Sequence, residues 1–295
     1  MIETIYKNDK NFPSLLREIS DPPEKLFLHG NISPLLDPQM KILCIVGSRK
    51  YSNYGKEVLE RLIGELSGYK ICIVSGLALG IDSIAHRVAI SAGLYTIAFP
   101  GSGLDRDVIY PPSHRRLSEE IIESGGALLS EFEMDQIAQD WTFPQRNRLM
   151  AGIAHGTLLI EAGIKSGSMI TVRRAIEYNR DISTIPGQIF DPLREGPLSL
   201  IRDGATPITS SDDLLEFLGF ARREGQSRLS LKNNKIYDTL GEYEKKIISL
   251  LQVEPRNKDF LSRELGIDAR EINTILSSLE LEEFVKEDGG IVRSM

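Results

Sequence analysis

From Lys41 onward the chain repeats one unit: a short apolar run, a small-residue loop and an amphipathic stretch. The apolar runs occupy residues 42–46, 71–74, 95–99, 127–131, 157–160 and 181–185. Each is continuous rather than alternating, as expected of strands covered on both faces. Amphipathic segments at 54–66 and 113–123, a stretch from 81 to 92, and one at 169–179 read as the intervening helices. Strand–loop–helix units of this length imply an α/β fold, a doubly wound, mostly parallel sheet. In such sheets the ligand sits outside the carboxyl ends of the strands.

The loops at those ends carry the candidate site. Gly47-Ser48-Arg49 follows the first run, Ser75-Gly76 the second and Pro100-Gly101-Ser102-Gly103 the third. The richest stretch is 143–171. There Arg146, Asn147 and Arg148 precede the fifth run, and Lys165-Ser166-Gly167-Ser168 follows it at the start of a helix that includes Thr171. Free backbone N–H groups and the helix dipole favour an anion at such a junction. Together with Arg49 and Lys165, the expected ligand is a phosphate or several.

Other chemistries fit less well. Gly47-Ser48-Arg49 is not a G-x-G-x-x-G fingerprint, and no acidic ribose partner ends the second run, which argues against a nicotinamide cofactor. No G-x-x-x-x-G-K-[ST] loop is present, which argues against an ATPase. His86 with Ser75 and Asp82 suggests a Ser-His-Asp set, but Asp82 and His86 stand at i, i+4, the spacing of a helix-stabilising pair. Glu161 and Glu131 end their strands and serve either as a base or as anchors for loop amides. Phe143, beside Pro144, reads as core. Cys44 and Cys72 lie inside apolar runs, as buried thiols do, and Cys and His show no metal-ligand spacing. No cofactor, metal or catalytic residue is expected.

The first 38 residues, broken by five prolines, read as a lead-in packed on the main domain at 39–220, with a short edge strand at Leu26-Phe27-Leu28. Residues 221–238 read as a polar linker. Helical patterns at 242–252, 259–265 and 268–281 and a Gly289-Gly290 turn then imply a small winged-helix domain at 239–295. That domain has eight lysines and arginines against twelve aspartates and glutamates. Its surface therefore repels a phosphate backbone, and protein contact is its expected use rather than transcriptional regulation. The whole chain carries a net charge of −7, which counts against indiscriminate nucleic-acid binding. Its start lacks the basic and apolar regions of a signal peptide, so a cytoplasmic place is expected.

The motifs taken together resemble the DNA-processing protein A (DprA, or Smf) family. They are Val46-Gly47-Ser48-Arg49 with Tyr54-Gly55, Ser75-Gly76-Leu77-Ala78 through Gly80-Ile81-Asp82 to Ala85-His86, and Gly101-Ser102-Gly103-Leu104-Asp105. Tyr110-Pro111, Phe143-Pro144 with Arg146-Asn147-Arg148 and Ala151-Gly152, Glu161-Ala162, Ser166-Gly167-Ser168 and Pro186-Gly187 complete the set. The resemblance implies a Rossmann-like domain that binds single-stranded DNA and loads a RecA-type recombinase in natural transformation. It also implies a homodimer without catalytic activity. The sterile-alpha-motif-like domain that some members of the family carry at the amino terminus is not expected in this sequence. The Asp105–Tyr110 spacer also carries an extra Arg106-Asp107-Val108-Ile109. The DNA-binding set expected is Gly47, Ser48, Arg49, Gly76, Arg146, Asn147, Arg148, Lys165, Ser166, Gly167, Ser168 and Thr171. Few aromatics are interleaved there, so backbone contact is expected to dominate over base stacking. A competing enzyme class, the nucleotide phosphoribohydrolases, is similar in fold and signed by P-G-G-x-G-T-x-x-E. Its nearest counterpart, His155-Gly156-Thr157 to Glu161, lacks the leading glycines.

Overall fold

The computed structural model describes residues 2–221, 240–281 and 284–294. The chain divides into two compact units, Met1–Arg222 and Arg223–Met295. The linker expected at 221–238 lies, apart from Ala221, outside the described residues.

The larger unit is a nine-stranded sheet. Its strands are β1 (Ile2–Tyr6), β2 (Lys25–Gly30), β3 (Lys41–Val46), β4 (Ile71–Ser75), β5 (Tyr95–Ala98), β6 (Ala127–Ser130), β7 (Gly156–Leu159), β8 (Asp181–Thr184) and β9 (Thr206–Pro207). The spatial order is β1-β2-β6-β5-β4-β3-β7-β8-β9. All neighbours from β6 to β9 pair in parallel, while β1–β2 and β2–β6 are antiparallel. Residues 1–38 are therefore more than an irregular lead-in: they add two strands to the edge of the sheet. β1 was not legible because Glu3 and Thr4 interrupt its apolar pattern.

The chain runs outward from β3 to β6, then returns to the other side of β3 with β7. The winding reverses between β3 and β7, and a crevice opens there. Helices α1 (Ser14–Arg17), α2 (Asn53–Gly64), α3 (Ile81–Ser91), α4 (Arg115–Glu123), α5 (Thr142–Ile153), α6 (Gly167–Glu177), α7 (Glu195–Arg202) and α8 (Ser211–Phe217) cover both faces. One core layer holds Cys44, Val46, Leu149, Met150, Leu159 and Val172; the other holds Leu43, Ile45, Leu59, Ile63, Ile81 and Leu158. Alternate residues of β3 thus serve opposite layers, which is why its sequence is apolar throughout.

The smaller unit has helices Glu242–Val253, Lys258–Leu265 and Ala269–Leu281 beside a three-stranded sheet, β10 (Arg256–Asn257), β11 (Val285–Asp288) and β12 (Ile291–Ser294), in the order β10-β12-β11. Ile272, Leu276 and Leu279 are buried against Ile247, Leu251 and Phe284. The Lys258–Leu265 helix starts under an Asn257 cap, whose Oδ1 accepts the Phe260 amide at 2.8 Å, and stops at Gly266 with φ +69°.

Candidate nucleic-acid interface

The crevice between β3 and β7 is a cleft of about 700 Å3. Helix α5 (Thr142–Ile153) forms one wall and α6 (Gly167–Glu177) another, with the β3 loop between them. Of the expected residues, Gly47, Ser48, Arg49, Arg146, Asn147, Ser166, Gly167, Ser168 and Thr171 line it. Gly76 lines a small adjoining recess shared with Arg49, Phe143 and Arg146.

The loop amides are prepared for an anion. Ser48 Oγ donates to the Lys50 carbonyl at 2.7 Å and accepts the Lys50 amide at 3.0 Å, which fixes the β3 loop. Ser168 Oγ donates to the Gly47 carbonyl at 2.7 Å and ties that loop to the start of α6. Ser166 holds the N-cap position in extended conformation, yet its side chain caps nothing and its Oγ has no partner. The Gly167 and Ser168 amides likewise have no protein acceptor among the described residues. Uncapped amides at the positive end of an eleven-residue helix attract negative charge. Arg49 and Lys50, both exposed, stand at the mouth, and the Arg49 guanidinium lies 5.4 Å from the Phe143 ring centre.

The basic cluster is not one surface. Arg146 is 4% exposed and donates to the carbonyls of Gly76 and Phe99 and, at 3.0 Å, to Asn147 Oδ1. Burial pushes its pKa down to about 10, against the opposing pull of Asp82. It shapes the floor and has few donors left for a ligand. Arg148 does not join Arg49 at all. Two residues further along a helix points elsewhere, and Arg148 is paired with Glu131 and bonded to the Asp21 carbonyl at 2.6 Å. Lys165 stands exposed in the turn before α6 and does not line the cleft.

The remaining candidates are structural. Asp82 and His86 do not pair: Asp82 accepts the Gly76 amide at 3.1 Å, and His86 Nδ1 meets Thr96 Oγ1 at 2.8 Å. A helical spacing permits contact, but here each ring or carboxylate finds a nearer buried partner. Burial pushes the His86 pKa down to about 3. Glu161, fully buried, accepts the Ser52 amide and hydroxyl, each at 2.7 Å, and pairs with Arg194 at 3.1 Å. It anchors α2 (Asn53–Gly64) at its Ser52 cap. Phe143, read from the sequence as core, is half-buried and lines the cleft. Lys50 was overlooked; two consecutive cations in the loop after a strand were the available signal. The Asp105–Tyr110 spacer is pinned by Arg106–Glu119 at 2.7 Å and by buried Ile109.

Comparison with known proteins places this architecture. The family model for DNA recombination-mediator protein A matches residues 3–219, and that for the DprA winged helix domain matches residues 237–290. The chain is 42% identical over 207 residues to the DNA processing protein DprA of Streptococcus pneumoniae, covering 70% of this chain and 71% of that one. It is 39% identical over 209 residues to Protein Smf of Escherichia coli, covering 71% of this chain and 54% of that one, about half its length. Among solved structures, DprA of S. pneumoniae superposes with a TM-score of 0.67 at 40% identity, covering 73% of this chain and 74% of that one. DNA processing protein A of Helicobacter pylori, described for its single-stranded DNA binding mode, superposes at 0.65 with 30% identity, covering 74% and 95%. With the family model matched over most of the chain and the winged helix domain after it, the chain belongs to the DNA recombination-mediator protein A family.

Proposed function

We propose that the cleft holds the phosphate backbone of single-stranded DNA and that the chain is a non-catalytic DNA-binding protein. One observation carries this reading: the open amides of α6 and the exposed Arg49 and Lys50 meet at the crevice where the sheet winding reverses. The H. pylori relative, described as binding single-stranded DNA, supports the same ligand class. Against catalysis, Glu161 is occupied by Ser52 and Arg194, and the described residues of the cleft offer no nucleophile beside a free base. A phosphoribohydrolase would need that carboxylate free.

The finer roles rest on the family. The bound strand is handed to a RecA-type recombinase, in natural transformation where the host takes up DNA. Two chains act together, since one cleft holds only a few nucleotides and pairing raises apparent affinity. Fluorescence anisotropy with an oligothymidylate and a duplex of equal length tests the core of the proposal. The single strand should bind more tightly, with log affinity falling linearly in log salt. Equal or tighter duplex binding, or release of base from nucleoside monophosphates, would overturn it.

A further inference from the structure

We propose that a second cavity, at the amino end of the sheet, is a binding site for an aliphatic carboxylate, whether a small free acid or the carboxyl terminus of a peptide. The proposal is independent of the DNA-binding reading. The cavity has a volume of about 340 Å3 and lies between the amino-terminal segment and the starts of β3 and β7. Ile42 lines it, whereas Val46, at the other end of the same strand, lines the DNA cleft.

Its chemistry is two-sided. Phe12, Leu35, Met40 and Ile153 form apolar walls. Lys10, Arg17 and His155 supply donors. The Ile42 amide donates to His155 Nδ1 at 3.0 Å, which places the ring proton on Nε2. Burial, then Lys41 and Arg180, hold the His155 pKa below its ordinary value, so the ring is neutral at pH 7. Its Nε2–H has no protein acceptor among the described residues. The Arg17 guanidinium is held by main chain, donating to the Lys7 carbonyl at 2.9 Å and to the Asp9 carbonyl, with three N–H groups left over, and lies 5.6 Å from the Phe12 ring centre. No carboxylate neutralises its charge, nor that of Lys10, among the described residues. Asp37 also lines the cavity but is paired with Lys70 at 2.8 Å, and neighbouring Glu18 is paired with Arg180 at 3.3 Å.

A cleft with apolar walls on one side and, on the other, one fixed N–H donor and unneutralised cations selects a ligand with an apolar body and a single negative end. A phosphate dianion fits worse, because the walls would strip its hydration without replacing it.

Saturation-transfer NMR on the full chain tests this with four probes: octanoate, octanol, and acetyl-Ala-Ala-Leu with a free or amidated carboxyl end. Octanoate or the free-acid peptide should bind saturably, and the neutral partner of each at least ~10-fold more weakly, the worth of a charge-assisted hydrogen bond. Lys10→Glu and His155→Gln should each weaken the acid ~10-fold while leaving single-strand binding unchanged. Lys10 is exposed, so its variant isolates charge from folding. Tighter binding of the peptide identifies a chain terminus as the source, and tighter binding of octanoate a free acid. Equal binding of charged and neutral probes, an unaltered Lys10→Glu variant, or no binding by either acid would overturn the proposal.

Discussion

Asp82 and Arg146 grip Gly76 from opposite sides: the carboxylate accepts its amide at 3.1 Å, and the guanidinium donates to its carbonyl. Both side chains are buried, and they sit beneath the cleft without forming a direct ion pair. A Cβ at Gly76 would come within 2.7 Å of Asp82 Oδ2, so only glycine fits between them. Arg146→Met should therefore destabilise the protein by about 2–4 kcal/mol, by leaving the Gly76 and Phe99 carbonyls without their donor and Asp82 without its opposing charge. Urea denaturation measures it, and adding Asp82→Asn should recover part of the loss.

The same pair predicts a pH dependence. Burial raises the Asp82 pKa, and Arg146 is the main influence opposing that rise. For a carboxylate whose folded pKa is raised, the stabilising contribution is full below the unfolded value. It fades as pH climbs through the folded pKa. Without Arg146 the folded value rises further, so the deficit of Arg146→Met relative to wild type should shrink as the pH is lowered. A deficit that does not change with pH would remove Asp82 from the explanation.

Arg49 should act on binding alone. It is exposed and has no carboxylate partner among the described residues. Arg49→Ala should change stability by less than about 0.5 kcal/mol. Titrations at several salt concentrations should show weaker single-strand binding and a salt slope lowered by roughly 0.7 per lost phosphate contact.

Arg148 should show the reverse. Its loss leaves Glu131 half-buried and unpaired, a carboxyl whose pKa burial already raises. Arg148→Ala should cost about 2–4 kcal/mol with the salt slope unaltered, and Glu131→Gln should restore some of it. A lowered slope with full stability would return Arg148 to the DNA surface.

Truncation after Phe220 removes the acidic unit and leaves every residue of the cleft in place. Single-strand affinity should stay within about 2-fold, since every side chain and amide offered to the phosphates belongs to the Met1–Arg222 unit. Tight duplex binding by the isolated carboxyl-terminal unit would instead make the winged helix the reader.

What could be read in advance follows from local physics. The parallel strands, their loops and the winged helix each carry their pattern within a dozen residues, and β3 and the α6 start were legible as such. Which way a side chain points was not. Arg146, Arg148 and Arg49 are one residue type in the sequence, but a buried carbonyl pair, a glutamate and solvent claim them respectively. Those partners lie 17 to 70 residues away along the chain, beyond any spacing rule.

The antiparallel edge has a consequence for how the chain assembles. β2 closes on β6, with Phe27 opposite Ser130, and β3 closes on β7, with Leu43 opposite Gly156. β2 and β3 each have one near partner, β1 and β4, but their second partners lie about a hundred residues further along, and such distant pairings set a slow folding rate. Until β2 docks, β6 presents an open strand edge, the kind of surface on which chains pair with one another. A chain shortened at its amino end would keep the whole cleft and still be exposed to aggregation along that edge.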